Sequence, residues 1–556
     1  MKKLYLIKVY IFLSIYFCAS VVLLKGQGPS FNWVKKYGNN TYYDNGRSVA
    51  LDPSGNVLAT GYMNDTFYIA KLNSSGNTIW YHELMGLPTA IESDASGNIY
   101  VAGGFKSTVD FDPGVNKVEL TSIGDMDNFV LKLDASGNLL WVKSFGSTYY
   151  DRTTNMTLDK WGNILLTGNF ANTVDFDPGS GTANKTEVGS YDIFILKLNN
   201  NGDFSWVEAF GDSYYDESFS ITADNNGNVF LASAVFGTVD FNPGSGIDTK
   251  TSAGNYDIFI TKLDSSGVYV KTLQIGSTGV DNISSITCDG SDNLFACGTF
   301  SNTVDFDPGS GTANLTATGI SNFYILKLNT AGQYVWAKSM GNGNGAGGLM
   351  SLTLDNKSGV YVIGNFSDTV DFNPGAGVNK LYVSKGIYYK KDSLDICIFK
   401  LDSSGNYQWA RGIGGSGYDA GYDIAVDNSG NVYTTGAFWS TVDFDPNSGI
   451  YNVTSSGKYD AFIHKMSGGL TDIKSKSAPQ QSFIIYPNPN DGLFAVDHQS
   501  TNPYTIEIYN TLGMLLYSNT ATGKTMIDIQ NYSTGMYIVK LVEAGQQMQS
   551  YILLKQ

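Results

Sequence analysis

The chain has 556 residues, of which 63 are Gly and 36 Tyr, and only 15% are charged, a turn-rich β composition that excludes a disordered polymer. A formal charge of −16 with three arginines, Arg47, Arg152 and Arg411, excludes nucleic-acid binding, because a phosphate backbone needs a basic face. Acidity suits solubility and divalent cations instead.

The N-terminus carries Lys2, Lys3 and Lys8, an apolar run from Val9 to Leu24 broken by Ser14 and Ser20, and a polar break at Lys25-Gly26-Gln27. This is the layout of a signal peptide over residues 1–27, with an uncleaved membrane anchor as the alternative. Cys18 lacks the small-residue context of a lipoprotein site, so no lipid anchor is expected. Cys288, Cys297 and Cys397 are too few and too irregular for a disulfide framework or a zinc site. The hairpin register places Cys288 opposite Leu294, so buried free thiols are expected and a Cys288–Cys297 bridge stays open.

Three marks then recur in fixed order over residues 28–466. The first is a strand closing on Gly, as in Trp33 to Gly38, Trp141 to Gly146, Trp206 to Gly211, Trp336 to Gly341 and Trp409 to Gly414, with weaker copies at Trp80 and Tyr269. The second is an Asp-x-x-Gly-Asn turn, beginning at Asp52, Asp94, Asp159, Asp224 and Asp427, with diverged copies at Asp289 and Asp355. The third is an apolar strand ending in Lys-Leu, at Lys71, Lys132, Lys197, Lys262, Lys327 and Lys400, with a degenerate Lys465-Met466. Each mark occurs seven times. Each unit therefore reads as a four-stranded antiparallel meander: A before the Asp turn, B after it, C the Lys-Leu strand and D the Trp strand. Asn and Gly supply the left-handed conformations that tight hairpins require. A meander buries both faces only by packing radially against others, so the expected fold is all-β, a seven-bladed β-propeller. The mature chain is expected to begin with a lone strand D at Trp33, and its last unit lacks one, so the N-terminal strand is expected to complete the final blade and seal the ring.

In this topology the short A–B and C–D turns share one face, and the longer B–C loops and D–A connectors share the other. Binding residues concentrate on loops held by a rigid scaffold, so function is expected on the second face. The B–C loops repeat Thr-Val-Asp-Phe followed by Asp/Asn-Pro, giving Asp110 and Asp112, Asp175 and Asp177, Asp305 and Asp307, and Asp443 and Asp445, with Asn at the second place after Asp240 and Asp371. Paired oxygen donors of this kind can hold Ca²⁺, although the third acidic ligand and terminal Glu of an EF-hand are missing. Asp or Asn before Pro-Gly is also a good turn former, with Phe and Val then packing at the loop base. The connectors repeat Tyr-Asp, at Tyr43-Asp44, Tyr150-Asp151, Tyr215-Asp216 and Tyr418-Asp419. Aromatic rings beside carboxylates can stack on sugars and bond their hydroxyls, or they can wedge between blades. The expected function is binding of a glycan, a protein or Ca²⁺ at this face. A polysaccharide-active enzyme, glycosidase or lyase, is the alternative, yet His82, His464 and His498 occupy unrelated positions and no catalytic motif stands out.

After Met466 the pattern stops, and 467–481 reads as a polar linker. From 482 to 556 a new β-rich module carries Tyr486-Pro487-Asn488-Pro489 with Gly492, then Ile508 to Gly513, then Gly535-Met-Tyr537 leading into an apolar strand. Alternating apolar residues predict a small Ig-like β-sandwich. These three motifs in order resemble the type A C-terminal sorting domain of the type IX secretion system of Bacteroidetes. The resemblance implies passage through that machinery, removal of the domain, and release or attachment to surface lipopolysaccharide, hence a secreted or cell-surface protein. The Asp-x-x-Gly-Asn and Lys-Leu-Asp-x-x-Gly segments resemble the secreted bacterial β-propeller (SBBP) repeat family, which implies fold and location but no activity.

Overall fold

The computed structural model describes residues 28–38, 43–64, 66–341, 347–384, 394–468, 483–498, 502–510, 514–543 and 546–556. The expected signal peptide, Cys18, nearly all of the expected linker and Gly513 lie outside the described residues. The chain divides after Leu470 into two compact units.

The first unit opens with a lone strand, β1 (Ser30–Tyr37). Blade 1 follows as β2 (Asn45–Leu51), β3 (Val57–Met63), β4 (Thr66–Leu72) and β5 (Thr78–Met85), hydrogen-bonded in that order. Blades 2 to 6 repeat this meander, beginning at Leu87–Ser93, Arg152–Leu158, Glu217–Ala223, Asn282–Cys288 and Gly347–Leu354. Blade 7 has strands Ala420–Val426, Val432–Asp443 and Asn452–Ser467, and β1 supplies its fourth, with Trp33 opposite Lys465 and Lys36 opposite Phe462. The propeller therefore has seven complete blades and closes as its repeat order predicts.

The three repeated marks turn out to be parts of one clip. In the first turn Asp52 Oδ1 accepts the amides of Ser54 at 2.9 Å and Asn56 at 2.8 Å, while Gly55 adopts a φ of +77° that a side chain would strain. Lys71, from the Lys-Leu strand, reaches Asp52 Oδ2 at 2.9 Å and donates to the Ala135 carbonyl in the next blade, also at 2.9 Å. Trp80 Nε1 donates to that same carbonyl at 3.3 Å. Lys197 with Trp206 and Lys327 with Trp336 repeat the clip, each pair donating to one carbonyl of the following blade, Ser265 O and Ser403 O. The clip also crosses the closure, where Lys465 Nζ and Trp33 Nε1 both donate to Ser74 O of blade 1, at 2.7 and 3.1 Å. Apolar cores lie between blades rather than within them; one joins Val57, Ala59 and Tyr68 of blade 1 to Tyr433, Ala461 and Ile463 of blade 7. Cys288 lies opposite Leu294, and Cys288, Cys297 and Cys397 are free thiols, so the bridge that the sequence left open is not made.

The second unit forms one sheet from Phe483–Tyr486, Leu493–His498 and Lys524–Asp528 and another from Leu515–Ala521, Tyr504–Asn510, Gly535–Glu543 and Gln546–Lys555. Phe494, Val496 and Ile527 of the first meet Ile506, Ile508, Val539 and Leu541 of the second in a single core. The Tyr486-Pro-Asn-Pro489 segment anchors the last strand: Asn488 Oδ1 accepts from Leu554 N at 2.8 Å, and Asn490 N donates to Leu554 O at 2.9 Å. Gly492 has a φ of +103°, and a Cβ there would stand 2.8 Å from Gln530 Cα, which explains the Gly after this motif.

Candidate functional site

The B–C loops of blades 2 to 6 each fold into a two-stranded ribbon; in blade 7 the ribbon is continuous with the blade strands, and blade 1 lacks it. At its tip Asp110 Oδ1 accepts the amides of Asp112 at 3.2 Å and Val118 at 2.9 Å, and Asp112 Oδ1 accepts from Gly114 at 2.8 Å. Asp175 and Asp177, Asp305 and Asp307, and Asp443 and Asp445 repeat the pattern, with Asn447 as the last donor in blade 7. Val109 and Phe111 are buried beneath the loop. One oxygen of each carboxylate is thus committed to building the turn, and among the described residues no three acidic, His or Cys side chains gather as a metal site. Ca²⁺ at 100 times its dissociation constant would stabilise the fold by about 2.7 kcal/mol. Addition of Ca²⁺ or EDTA is expected to leave the melting temperature unchanged. A rise of several degrees with Ca²⁺ would show that these loops do hold the ion.

The connector pairs split into two roles. Asp44, Asp151, Asp216 and Asp419 are fully buried. Asp419 accepts the amides of Gly415 and Trp439 at 2.8 and 3.0 Å, Asp151 those of Ser147 and Ala171 at 2.5 and 3.1 Å, Asp216 that of Asp212 at 2.7 Å, and Asp44 that of Asn64 at 3.2 Å. Asp44, Asp151 and Asp419 tie their connectors to a B–C loop, Asp216 closes its own connector, and none of the four faces solvent, so the expected sugar contacts fall to the tyrosines alone. Tyr43 and Tyr215 are 53% and 40% exposed, and Tyr150 and Tyr418 are half-buried. Three of them also pack on another tyrosine. Tyr43 stacks on Tyr459 at 5.3 Å between ring centres, Tyr215 meets Tyr191 at 5.4 Å, and Tyr418 meets Tyr459 at 5.7 Å.

Across the closure seam these contacts merge into a patch. Trp439, 46% exposed, packs on Tyr459 at 6.0 Å, beside Tyr43 and Tyr418, and Lys458 Nζ stands 4.2 Å over the Tyr43 ring. Blades 6, 7 and 1 all contribute to it.

Inside the ring, strand A of every blade lines a central channel, and every one of them carries a β-bulge. The bulged residues are Arg47, Thr89, Thr154, Phe219, Ser284, Met350 and Tyr422, an unlike set at equivalent places. They surround a cavity of about 380 Å³ that also takes in Tyr62, Tyr150 and Arg152. Because strands A start from the connectors, this mouth opens on the connector face. Arg47 stands 5.3 Å over the Tyr422 ring, again across the seam. Its guanidinium is held below the usual pKa by poor hydration in the funnel and by Arg152 nearby, against the favourable pull of Tyr422 and Tyr150. Deeper in the channel Asp423 accepts from Ser48 Oγ at 2.8 Å, Ser351 Oγ at 2.7 Å and Val49 N at 2.9 Å, joining blades 7, 6 and 1. Burial and the Asp423 charge push Glu92 up to about 8. Trp439, Tyr459 and the bulged residues do not repeat, so a search for repeats passes over them. The signal that could have found the bulge is positional, since Arg47, Thr154, Phe219, Ser284 and Tyr422 each stand three residues after a connector Asp.

Comparison with known proteins adds two family matches, a secretion system C-terminal sorting domain over residues 484–555 and a beta-propeller repeat over 408–437. The chain is an exported β-propeller protein. It carries a type IX secretion system sorting domain that directs it to the cell surface or the medium. Among curated proteins it is similar to an uncharacterized WD repeat-containing protein of Acanthamoeba polyphaga mimivirus, at 25% identity over 37% of this chain and 17% of that protein. It is also similar to the regulatory protein FlaEY of Caulobacter vibrioides, at 22% identity over 39% of this chain and 23% of that protein. The match therefore spans less than a quarter of either relative. Solved structures similar to it include BamB from Moraxella catarrhalis, with 12% identity over 78% of this chain and 99% of that one at a TM-score of 0.38. Virginiamycin B lyase from Staphylococcus aureus gives 9% identity over the same shares at a TM-score of 0.36.

Proposed function

We propose that this chain is an exported glycan-binding propeller that captures its ligand on the connector face. The observation that carries the reading is the aromatic patch of Tyr43, Tyr418, Trp439 and Tyr459, set beside the channel mouth. Exposed Tyr and Trp present apolar ring faces to a sugar and polar edges to its hydroxyls, a combination that an aliphatic patch lacks. Such rings are also enriched where few residues carry most of a binding energy. Export places the face where polysaccharides are. The polysaccharide-active alternative is favoured by one feature only, the Glu92 and Asp423 carboxyls below the same mouth.

A glycan array probed with the purified chain is expected to return a defined group of oligosaccharides. Trp439→Ala and Tyr43→Ala should each weaken that binding about tenfold, the value of roughly 1.4 kcal/mol. Both side chains are about half exposed, so melting should not change. An empty array, or variants that bind like the parent, would contradict the proposal. Turnover of a bound oligosaccharide, lost in Glu92→Gln, would support the enzymatic alternative.

A further inference from the structure

We infer that the channel mouth is an oxyanion site, in which Arg47 and Arg152 grip the carboxylate of an acidic sugar residue. The inference deepens the glycan-binding reading and rests on it.

The charge pattern motivates it. The chain has 51 Asp and Glu against 35 Lys and Arg, so each base has ample acid to pair with. Lysines do pair, from Lys71 with Asp52 to Lys400 with Asp355. Two of the three arginines instead sit at the mouth of one cavity, both exposed to it. Among the described residues neither guanidinium has a hydrogen bond or a carboxylate within 4.0 Å, and the nearby acids are otherwise engaged or further off. Asp44 and Asp151 are buried under the connectors, Asp423 is saturated by two serines and backbone amides, and Glu217 feels the Arg152 charge without touching it. The two cations therefore repel one another, a cost that a bound anion would remove.

The chemistry of the ligand follows from what surrounds them. A guanidinium fork matches a planar carboxylate with two parallel hydrogen bonds. Tyr62, Tyr150 and Tyr422 wall the same cavity, and the bulged Ser284 adds a hydroxyl to its lining. Asp423 lies deeper, so an anion is held at the mouth and kept out of the channel. A net charge of −16 works against densely charged polyanions and favours a chain with one carboxylate per residue, as in a uronic-acid polymer. A sulfate ester presents the same oxyanion without the planar match, and the test separates the two.

The full chain would be titrated with oligogalacturonate, with its carboxyl-reduced uncharged counterpart, and with a sulfated oligogalactan. The expected result is a preference of at least tenfold for oligogalacturonate over both, weakening as salt rises. Arg47→Gln and Arg152→Gln should each cut that preference about threefold, and the double variant should abolish it. Unchanged melting of the variants would show that they are folded. Equal binding of acidic and uncharged oligomers, preference for the sulfated one, or variants that keep the parent preference would overturn the inference. Trp439-dependent binding of uncharged glycans alone would sink this inference and leave the glycan-binding face standing. Loss of all sugar binding in the parent would sink both.

Discussion

Removal of residues 28–38 is expected to destabilise the whole propeller, not one blade of it. β1 makes seven register pairs with the last strand of blade 7 and brings Phe31, Trp33, Val34 and Tyr37 against it and against blade 1. At about 1 kcal/mol per net hydrogen bond, before any apolar burial, its loss is of the order of 5 to 10 kcal/mol. That is comparable with the entire stability of a typical domain, about 5–15 kcal/mol. The loss also exposes a long sheet edge, and such edges pair with other chains. The shortened chain should therefore aggregate or melt far below the parent. Trp33→Ala is the milder version. It removes the indole bond to Ser74 O and a half-buried ring, a change worth about 2 to 3 kcal/mol. Because Tyr422 and Trp439 stand on blade 7 and Arg47 and Tyr43 on blade 1, an opened ring should lose sugar binding as well. A shortened chain that stays monomeric, melts like the parent and binds glycan would contradict the closure.

The second large effect is a dependence of stability on pH that runs opposite to ordinary acid denaturation. A carboxyl begins strand C in most blades, as Asp127, Asp192, Asp257, Asp395 and Asp460, and another ends most connectors, as Asp151, Asp216, Asp281 and Asp419. Burial pushes Asp151, Asp192 and Asp395 up to about 6, and Asp216 and Asp419 up to about 7. Asp192, Asp216, Asp257 and Asp395 each leave Oδ1 without a hydrogen-bond partner in the protein. Their folded pKa lies above the unfolded one, near 3.9. Below about pH 4 they are protonated in both states and cost nothing. As pH rises towards 7 the unfolded chain releases these protons first, so stability falls, and above 7 the loss is complete. Each carboxyl accounts for about 1 to 2 kcal/mol once solvent relaxation is allowed for.

The Asp residues of the A–B turns act in the other direction. Hydrogen bonds from Asn56 and from Lys71 hold Asp52 below its ordinary pKa, and Asp94, Asp289 and Asp355 are held likewise, so the stability they supply is lost as pH drops below about 4. Melting temperature should therefore peak between about pH 4 and 5 and decline towards pH 8. Blade 5 already carries the remedy, since Asn322 occupies the strand C position, accepting from Thr318 N at 3.2 Å and donating to Ser339 Oγ at 2.9 Å. Asp216→Asn and Asp192→Asn should accordingly raise melting at pH 8 and flatten the profile. A profile that rises steadily from pH 5 to 8 in the parent would refute the assignment.

The repeats made the blades, the closure and the short-turn face readable in the sequence, because Asp, Lys and Trp recur wherever the same interblade clip is built. The site was less readable for the same reason. Its residues hold equivalent places but differ in identity, so alignment of the units hides Arg47 among Thr, Phe, Ser and Met. A β-bulge then turns that one residue into the channel, out of step with strict strand alternation. The connector Tyr-Asp pairs were visible, yet only the fold separates their roles, since the Asp meets backbone amides that come from another loop. Asp110 and its counterparts were visible too, and the local turn takes up one oxygen of each carboxylate that their spacing offers to a cation.

The closing strand creates both the ring and the seam on which the proposed binding face stands, and one measurement addresses it directly. The hydroxyls of Ser30 and Ser467 lie 2.6 Å apart across the last strand pair. Paired Cα atoms in an antiparallel ladder, about 4.5–5.5 Å apart, suit a disulfide. In the double variant Ser30→Cys, Ser467→Cys, peptide mapping under oxidising, non-reducing conditions should find the two introduced thiols joined in nearly all molecules, with melting above that of the reduced form. Thiols that stay free, or that join only between different molecules, would mean that the N-terminal strand does not complete blade 7.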